Sequence, residues 1–332
     1  MFQTEFNHFF QSFASDELTL FMRFVTALGY QEFFLLFLLI LLLAVDFKKA
    51  FILFMVLLWT AAITFFLKDY FDLPRPFHVD NTLELLDGKL PDGATFEFSN
   101  RGAKSFWEVL PADVVKATRQ SEDVKNGFPS GHSSIAIAFW GALALLYRKR
   151  WISLISILLM VLIPISRIYL GVHFLADVIS GVTLGALILG AFYLIILKPN
   201  KLSSFLKTEK YTIGVNPLSL TLLLSPFLFF LLLPEEVYIL IAYMLGFGLG
   251  FLLLARKGLP NDQASFFHRL GRMIVGALAF LVVGFIFKQI GLEEHIWISF
   301  IKNLVAALAL IWIGTEISIR LGFFKRKNKE VV

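Results

Sequence analysis

Two histidines stand in settings suited to phosphoryl chemistry. His173 is followed four residues later by Asp177, a spacing that on a helix puts both side chains on one face. A carboxylate bonded to one ring nitrogen fixes the tautomer and leaves the other nitrogen free to attack. A surface His–Asp pair is the commoner alternative. Asp177 lies at the edge of an apolar segment, however, where ionisable groups are costly. His132 closes the tetrapeptide Pro129-Ser130-Gly131-His132 at the mouth of another apolar run. Free N–H groups in a helix's first turn, a flanking glycine and the Ser130 hydroxyl suit an oxyanion. By itself the tetrapeptide reads equally well as a capped helix start with an incidental histidine.

Three cations accompany the histidines. Lys68 and Arg75 close one apolar run, and Arg167 closes another. A phosphate group takes several donors: arginine offers a planar fork and lysine a compact charge. Pro74 and Pro76 stiffen the backbone on either side of Arg75. Lys68 alone also reads as an interfacial lysine that snorkels to water. The chain has no cysteine, which excludes disulfides, thiol catalysis and Cys-ligated metals. His8, His78, His268 and His295 are isolated along the chain and read as incidental, so no metal and no cofactor are expected.

These residues must be positioned by membrane helices. Of 332 residues, 58% are hydrophobic, 38 are phenylalanine and only 17% are charged; soluble domains carry about a quarter charged residues. Apolar runs near the length of a bilayer span, roughly 20 residues, recur near 30–46, 51–67, 133–147, 151–166, 178–197, 212–233, 237–255, 273–288 and 297–319. The fold class is therefore an all-α polytopic membrane protein of about nine spans. Pro164 predicts a kink in the fourth. The aromatic-polar pattern of residues 2–29 predicts an amphipathic helix lying in the membrane interface. The expected division is an interfacial region 1–29, a core 30–197 that includes the polar loop 69–128, and a four-span extension 198–332 with a basic tail. Within the loop, Trp107, Val109, Leu110, Val114 and Val115 predict a small ordered cap.

Lys and Arg concentrate in alternate connections: 48–49, 148–150, 198–210, 256–272 and the tail after 320. By the positive-inside rule these face the cytoplasm. The N-terminus and all three chemical stretches then fall on the outside. The net charge of +5 is explained by these topology-setting loops, and nucleic acid is not an expected partner. The N-terminus shows no basic region followed by a cleavage pattern, so no signal peptide is expected.

In this order, Lys68 to Arg75-Pro76, then Pro129-Ser130-Gly131-His132, then Ser166-Arg167 with His173 and Asp177, the chain resembles the type 2 phosphatidic acid phosphatase superfamily. The matching stretch runs from 68 to 177, with no departure at a signature position. The resemblance implies a helical bundle and a metal-independent phosphatase. His173 would be the nucleophile, oriented by Asp177. His132 would protonate the leaving oxygen and then activate water. Lys68, Arg75, Ser130, the Gly131 N–H and Arg167 would hold the phosphate oxygens. The nine-span, outward N-terminal arrangement is similar to glucose-6-phosphatase in architecture only. The expected substrate is a phosphorylated lipid (phosphatidic acid, phosphatidylglycerol phosphate, undecaprenyl diphosphate or lipid A) in a bacterial inner membrane, with the site facing the periplasm. A phosphotransferase acting on a second lipid or sugar, and a phosphatase for a soluble sugar phosphate, are the alternatives within enzymes. A transporter or scaffold is the alternative from another class, disfavoured because the last spans lack paired broken helices.

Overall fold

The computed structural model describes residues 1–88, 98–120, 126–198, 204, 220–231, 235–290 and 295–326. Among these, regular structure is helical except for one antiparallel pair, Pro260–Asn261 with Lys325–Arg326. The helices are α1 (Glu5–Gln11), α2 (Asp16–Ala27), α3 (Gln31–Val45), α4 (Phe47–Phe71), α5 (Pro76–Val79), α6 (Ala112–Arg119), α7 (Gly131–Tyr147), α8 (Arg150–Tyr169), α9 (Leu175–Leu197), α10 (Ser225–Phe230), α11 (Tyr238–Lys257), α12 (Phe266–Gln289) and α13 (Ile296–Arg320).

Six candidate spans occur among the described residues: Phe47–Val79, α8, α9, α11, α12 and α13. The number is seven if α2 and α3 form one broken span. The expected nine is not reached here. The 133–147 segment is a shorter apolar helix, and much of 212–233 lies outside the described residues. Pro164 lies inside α8, and α7 carries a π turn at Ala136–Trp140.

The chain divides into two compact units. The first comprises Met1–Phe34 and Trp59–Ile195, and it contains every expected site residue. The second comprises Leu35–Leu58 and Ile196–Val332. Residues 35–58 thus pack with the C-terminal helices, a partition the linear boundary at 197 did not anticipate. Aromatic packing explains it: Phe51 lies 4.1 Å from Phe251 and Phe54 lies 4.0 Å from Phe247, centroid to centroid. In the same unit the buried Arg272 donates to the carbonyls of Phe323, Asp262 and Asn261 and lies 3.7 Å from the Phe324 ring centroid.

In the first unit, two apolar clusters join the N-terminal segment to the loops around the candidate site. Phe77, Tyr169, Leu170 and Val172 pack with Phe10, Leu18 and Met22. Val79, Leu110, Val114, Phe174 and Ala176 pack with Met1, Phe2 and Val115. The predicted cap is therefore half right: Leu110 and Val114 are buried, but Trp107 and Val109 are 82% and 74% exposed. Segment 1–29 is amphipathic as expected, in the form of the two helices α1 and α2. Phe9, Phe13, Leu20 and Phe24 are exposed, while Phe10, Leu18, Met22 and Val25 face the protein. Asn7 and Gln11 turn inward from this segment and donate to backbone carbonyls at the end of α8, in the turn after it and in the loop after α5.

Candidate active site

The last turn of α4 and the segment after it carry the first two cations. Lys68 Nζ donates to the carbonyls of Asn126 (2.7 Å) and Gly127 (3.1 Å). Asn126 Nδ2 donates back to the Lys68 carbonyl, and the Gly127 N–H to that of Leu73. These bonds tie the chain just before Pro129 to the chain just before Arg75. Arg75 is extended at the start of α5. Its N–H donates to His78 Nδ1 (3.1 Å), and its Nη1 donates to the Val172 carbonyl (3.4 Å). His78, expected to be incidental, is buried and holds the Arg75 backbone.

Ser130 caps α7. Its Oγ accepts from the Ser133 N–H and from Ser133 Oγ, leaving its own O–H proton to donate. The Ser130 N–H donates to the Asp177 carbonyl (2.9 Å), which joins the α7 mouth to the first turn of α9. Gly181 allows this approach: a Cβ there would stand 2.4 Å from the Ser130 carbonyl oxygen, closer than any side chain tolerates. The His132 ring meets the Tyr30 ring edge-on, with centroids 4.7 Å apart.

The end of α8 and the turn into α9 supply the rest. Arg167 is buried. Its Nη1 donates to Thr26 Oγ1 (2.6 Å) and lies 3.8 Å from Asp87 Oδ1. Ser166 Oγ donates to the Ile163 carbonyl within its own helix. The turn needs Gly171, whose φ is +77°, a region open mainly to glycine. His173 lies in this turn, and Asp177 in the first turn of α9. The expectation that the pair shares a helix face is therefore corrected. The i, i+4 contact forms because Asp177 Oδ2 caps the helix start, accepting the Phe174 N–H (2.9 Å), while His173 Nδ1 bonds the same oxygen at 3.1 Å. Both side chains are buried. Burial holds the His173 imidazole neutral, its pKa well below the ordinary histidine value, and Arg75, Lys68, Arg167 and His132 add repulsion against a proton.

The structure thus brings together Lys68, Arg75, Ser130, Gly131, His132, Arg167, His173 and Asp177 in one unit, on the ends of α4, α5, α7, α8 and α9 and the turn between the last two. It adds residues that spacing did not reveal. Asn7 is buried, and its Nδ2 donates to the carbonyls of Ile168 (2.9 Å) and His173 (3.0 Å), bracing the turn from outside. Thr26, Tyr30 and Asp87 border Arg167 and His132. Their one sequence signal is polarity within apolar or aromatic surroundings, which marks no partner.

Residues 49–201 match the family model described as "PAP2 superfamily". Among curated proteins, the chain is 37% identical over 98 residues to phosphatidylglycerophosphatase B of Bacillus subtilis, covering 27% of this chain and 47% of that one. It is 28% identical over 207 residues to lipid phosphate phosphatase delta of Arabidopsis thaliana, covering 54% and 48%. It is 32% identical over 98 residues to lipid A 4'-phosphatase of Bacteroides thetaiotaomicron, covering 30% and 42%. The chain spans less than half the length of these relatives. No solved structure matches it. The matched segment holds the three signature stretches and every residue expected from them, and over residues 49–201 this helical membrane protein is similar to the PAP2 superfamily.

Proposed function

We propose that the chain is an integral-membrane phosphatase that removes a phosphate from a lipid phosphate or diphosphate through a phosphohistidine intermediate. The observation that carries this reading is the buried His173–Asp177 pair, with the imidazole neutral and its Nδ1 engaged. Nε2 is then the nucleophile. It attacks phosphorus in line, the N–P bond forms as the P–O bond to the lipid breaks, and His132 delivers a proton to the departing oxygen. His132 next removes a proton from water, which displaces His173 and releases inorganic phosphate. Lys68, Arg75, Arg167, Ser130 Oγ–H and the Gly131 N–H stabilise charge on the equatorial oxygens. In this scheme no step needs a metal.

The charge distribution supports a site on the outer, periplasmic side of a bacterial inner membrane, with the N-terminus outside and the C-terminus inside. A site at the ends of apolar helices lets a lipid head group enter while its tails stay in the bilayer. The names of the relatives above support a lipid phosphate as substrate. The core and the C-terminal extension then divide the labour, catalysis belonging to the unit with the site. The test is a phosphate-release screen over phosphatidic acid, phosphatidylglycerol phosphate, undecaprenyl diphosphate and lipid A, with wild type beside His173→Ala and His132→Ala. Phosphate release by wild type and none by His173→Ala is expected. Full activity in His173→Ala sinks the mechanism.

A further inference from the structure

We propose that Tyr30 is a positioning residue that couples the acid–base histidine to the phosphate clamp by setting how tightly Asp87 holds Arg167. The inference rests on the phosphatase reading and concerns residues outside the signature stretches; Tyr30 also lies outside the family match.

Three contacts meet at Tyr30. Its ring edge packs against the His132 ring at 4.7 Å. Its hydroxyl donates to Asp87, at 3.2 and 3.1 Å from the two carboxylate oxygens. The Arg167 guanidinium carbon lies 5.9 Å from its ring centroid. Asp87 in turn stands 3.8 Å from Arg167 Nη1; the Arg167 side chain is buried and that of Asp87 is only 9% exposed. A buried carboxylate beside an anion-binding arginine competes with phosphate for that arginine. A hydroxyl donated to the carboxylate disperses its charge and weakens its grip. The Asp87 turn is itself held by the N-terminal helices. Gln11 exchanges two bonds with the Glu84 backbone, and Arg23 Nε donates to the Leu86 carbonyl at 2.6 Å. Gly29 leaves no slack beside His132, since a Cβ there would meet the ring's Cδ2 at 2.9 Å.

The test separates hydroxyl from ring and uses vanadate, which mimics the transferred phosphoryl group. Tyr30→Phe keeps the ring against His132 and removes the bond to Asp87. It is expected to weaken vanadate binding, measured by calorimetry on the detergent-solubilised full chain, by about tenfold, the scale of a hydrogen bond to a charged group. On dioctanoyl phosphatidic acid KM rises similarly while kcat stays within about twofold, the pattern of lost binding rather than lost chemistry. Tyr30→Leu also removes the wall behind His132, and kcat falls about tenfold further. In an Asp87→Asn background, Tyr30→Phe has no effect on vanadate, because its route to Arg167 is gone. Wild-type affinity in Tyr30→Phe overturns the proposal. So does an equal loss in the Asp87→Asn background, a fall in Tm and kcat with KM unmoved, or a wild type that binds no vanadate. A wild type that binds vanadate yet releases phosphate from no lipid sinks the phosphatase reading instead, and the vanadate series still decides the coupling.

Discussion

His173 Nδ1 and the Phe174 backbone N–H converge on one oxygen of Asp177, at 3.1 and 2.9 Å. The carboxylate thus starts α9 and orients the imidazole at once. Asp177→Asn keeps the volume but removes the charge that fixes the tautomer. We expect kcat to fall about 10²- to 10⁴-fold, the range of a positioned acid–base group, with the helical signal in far-ultraviolet circular dichroism unchanged. An active Asp177→Asn enzyme would remove the dyad from the mechanism.

Asn7 tests whether the N-terminal segment is part of the site. Its amide donates to the carbonyls of Ile168 and His173, the residues on either side of the Gly171 turn. Asn7→Ala leaves these buried acceptors without that donor, at a cost of about 1–3 kcal/mol. Asn7→Asp places a carboxylate against carbonyl oxygens and is the more damaging change. The expected order of Tm and of kcat is wild type, then Asn7→Ala, then Asn7→Asp. Equal values across the series would make this contact dispensable.

The acid side of the pH profile follows from His173. Burial and the surrounding cations put its pKa well below the ordinary value, so the nitrogen proposed to attack stays unprotonated into acid. The acid limb of kcat/KM is expected below pH 6.5, the ordinary histidine value. Lys68→Met removes one repelling charge, and the limb moves up. Stability has the matching sign. Below the unfolded histidine pKa the unfolded chain binds a proton that the folded chain refuses, so stability falls as pH drops from there toward the folded pKa. A limb above the ordinary histidine value contradicts this account.

Asp80 gives an independent acid transition. Burial raises its pKa, but bonds from Thr82 and His8 outweigh burial and bring the carboxyl to about 2. A depressed carboxyl stabilises the fold fully above the unfolded value. That contribution is lost as pH falls from about 4 toward about 2. Asp80→Asn is expected to lower Tm at pH 6 and to flatten its dependence between pH 5 and pH 3. Parallel curves for the two proteins would refute the assignment.

Orientation is open to a labelling experiment. Trp107 is exposed on the polar loop after α5. With no native cysteine in the chain, Trp107→Cys provides a single thiol. An impermeant maleimide is expected to label it in intact spheroplasts. Labelling only after lysis would invert the topology.

Much of this protein was readable from its chain. Fifty-eight per cent apolar residues with few charges demand helices in lipid, because a spanning segment must satisfy its own backbone. Residue type and spacing single out Lys68, Arg75, Ser130, Gly131, His132, Arg167, His173 and Asp177 as candidates, because the proposed chemistry on phosphate restricts side-chain identity. Tertiary structure decided what depends on approach between distant segments. Spacing placed His173 and Asp177 on a helix face, but the Gly171 turn and the cap at Phe174 bring them together instead. Residues 35–58 pack with the C-terminal unit through stacked phenylalanines that no linear pattern pairs. Asn7, Thr26, Tyr30 and Asp87 carry no motif. Each matters through a carbonyl, hydroxyl, ring or guanidinium that the fold alone brings within reach: the Ile168 and His173 carbonyls for Asn7, Arg167 for Thr26 and Asp87, and His132 for Tyr30.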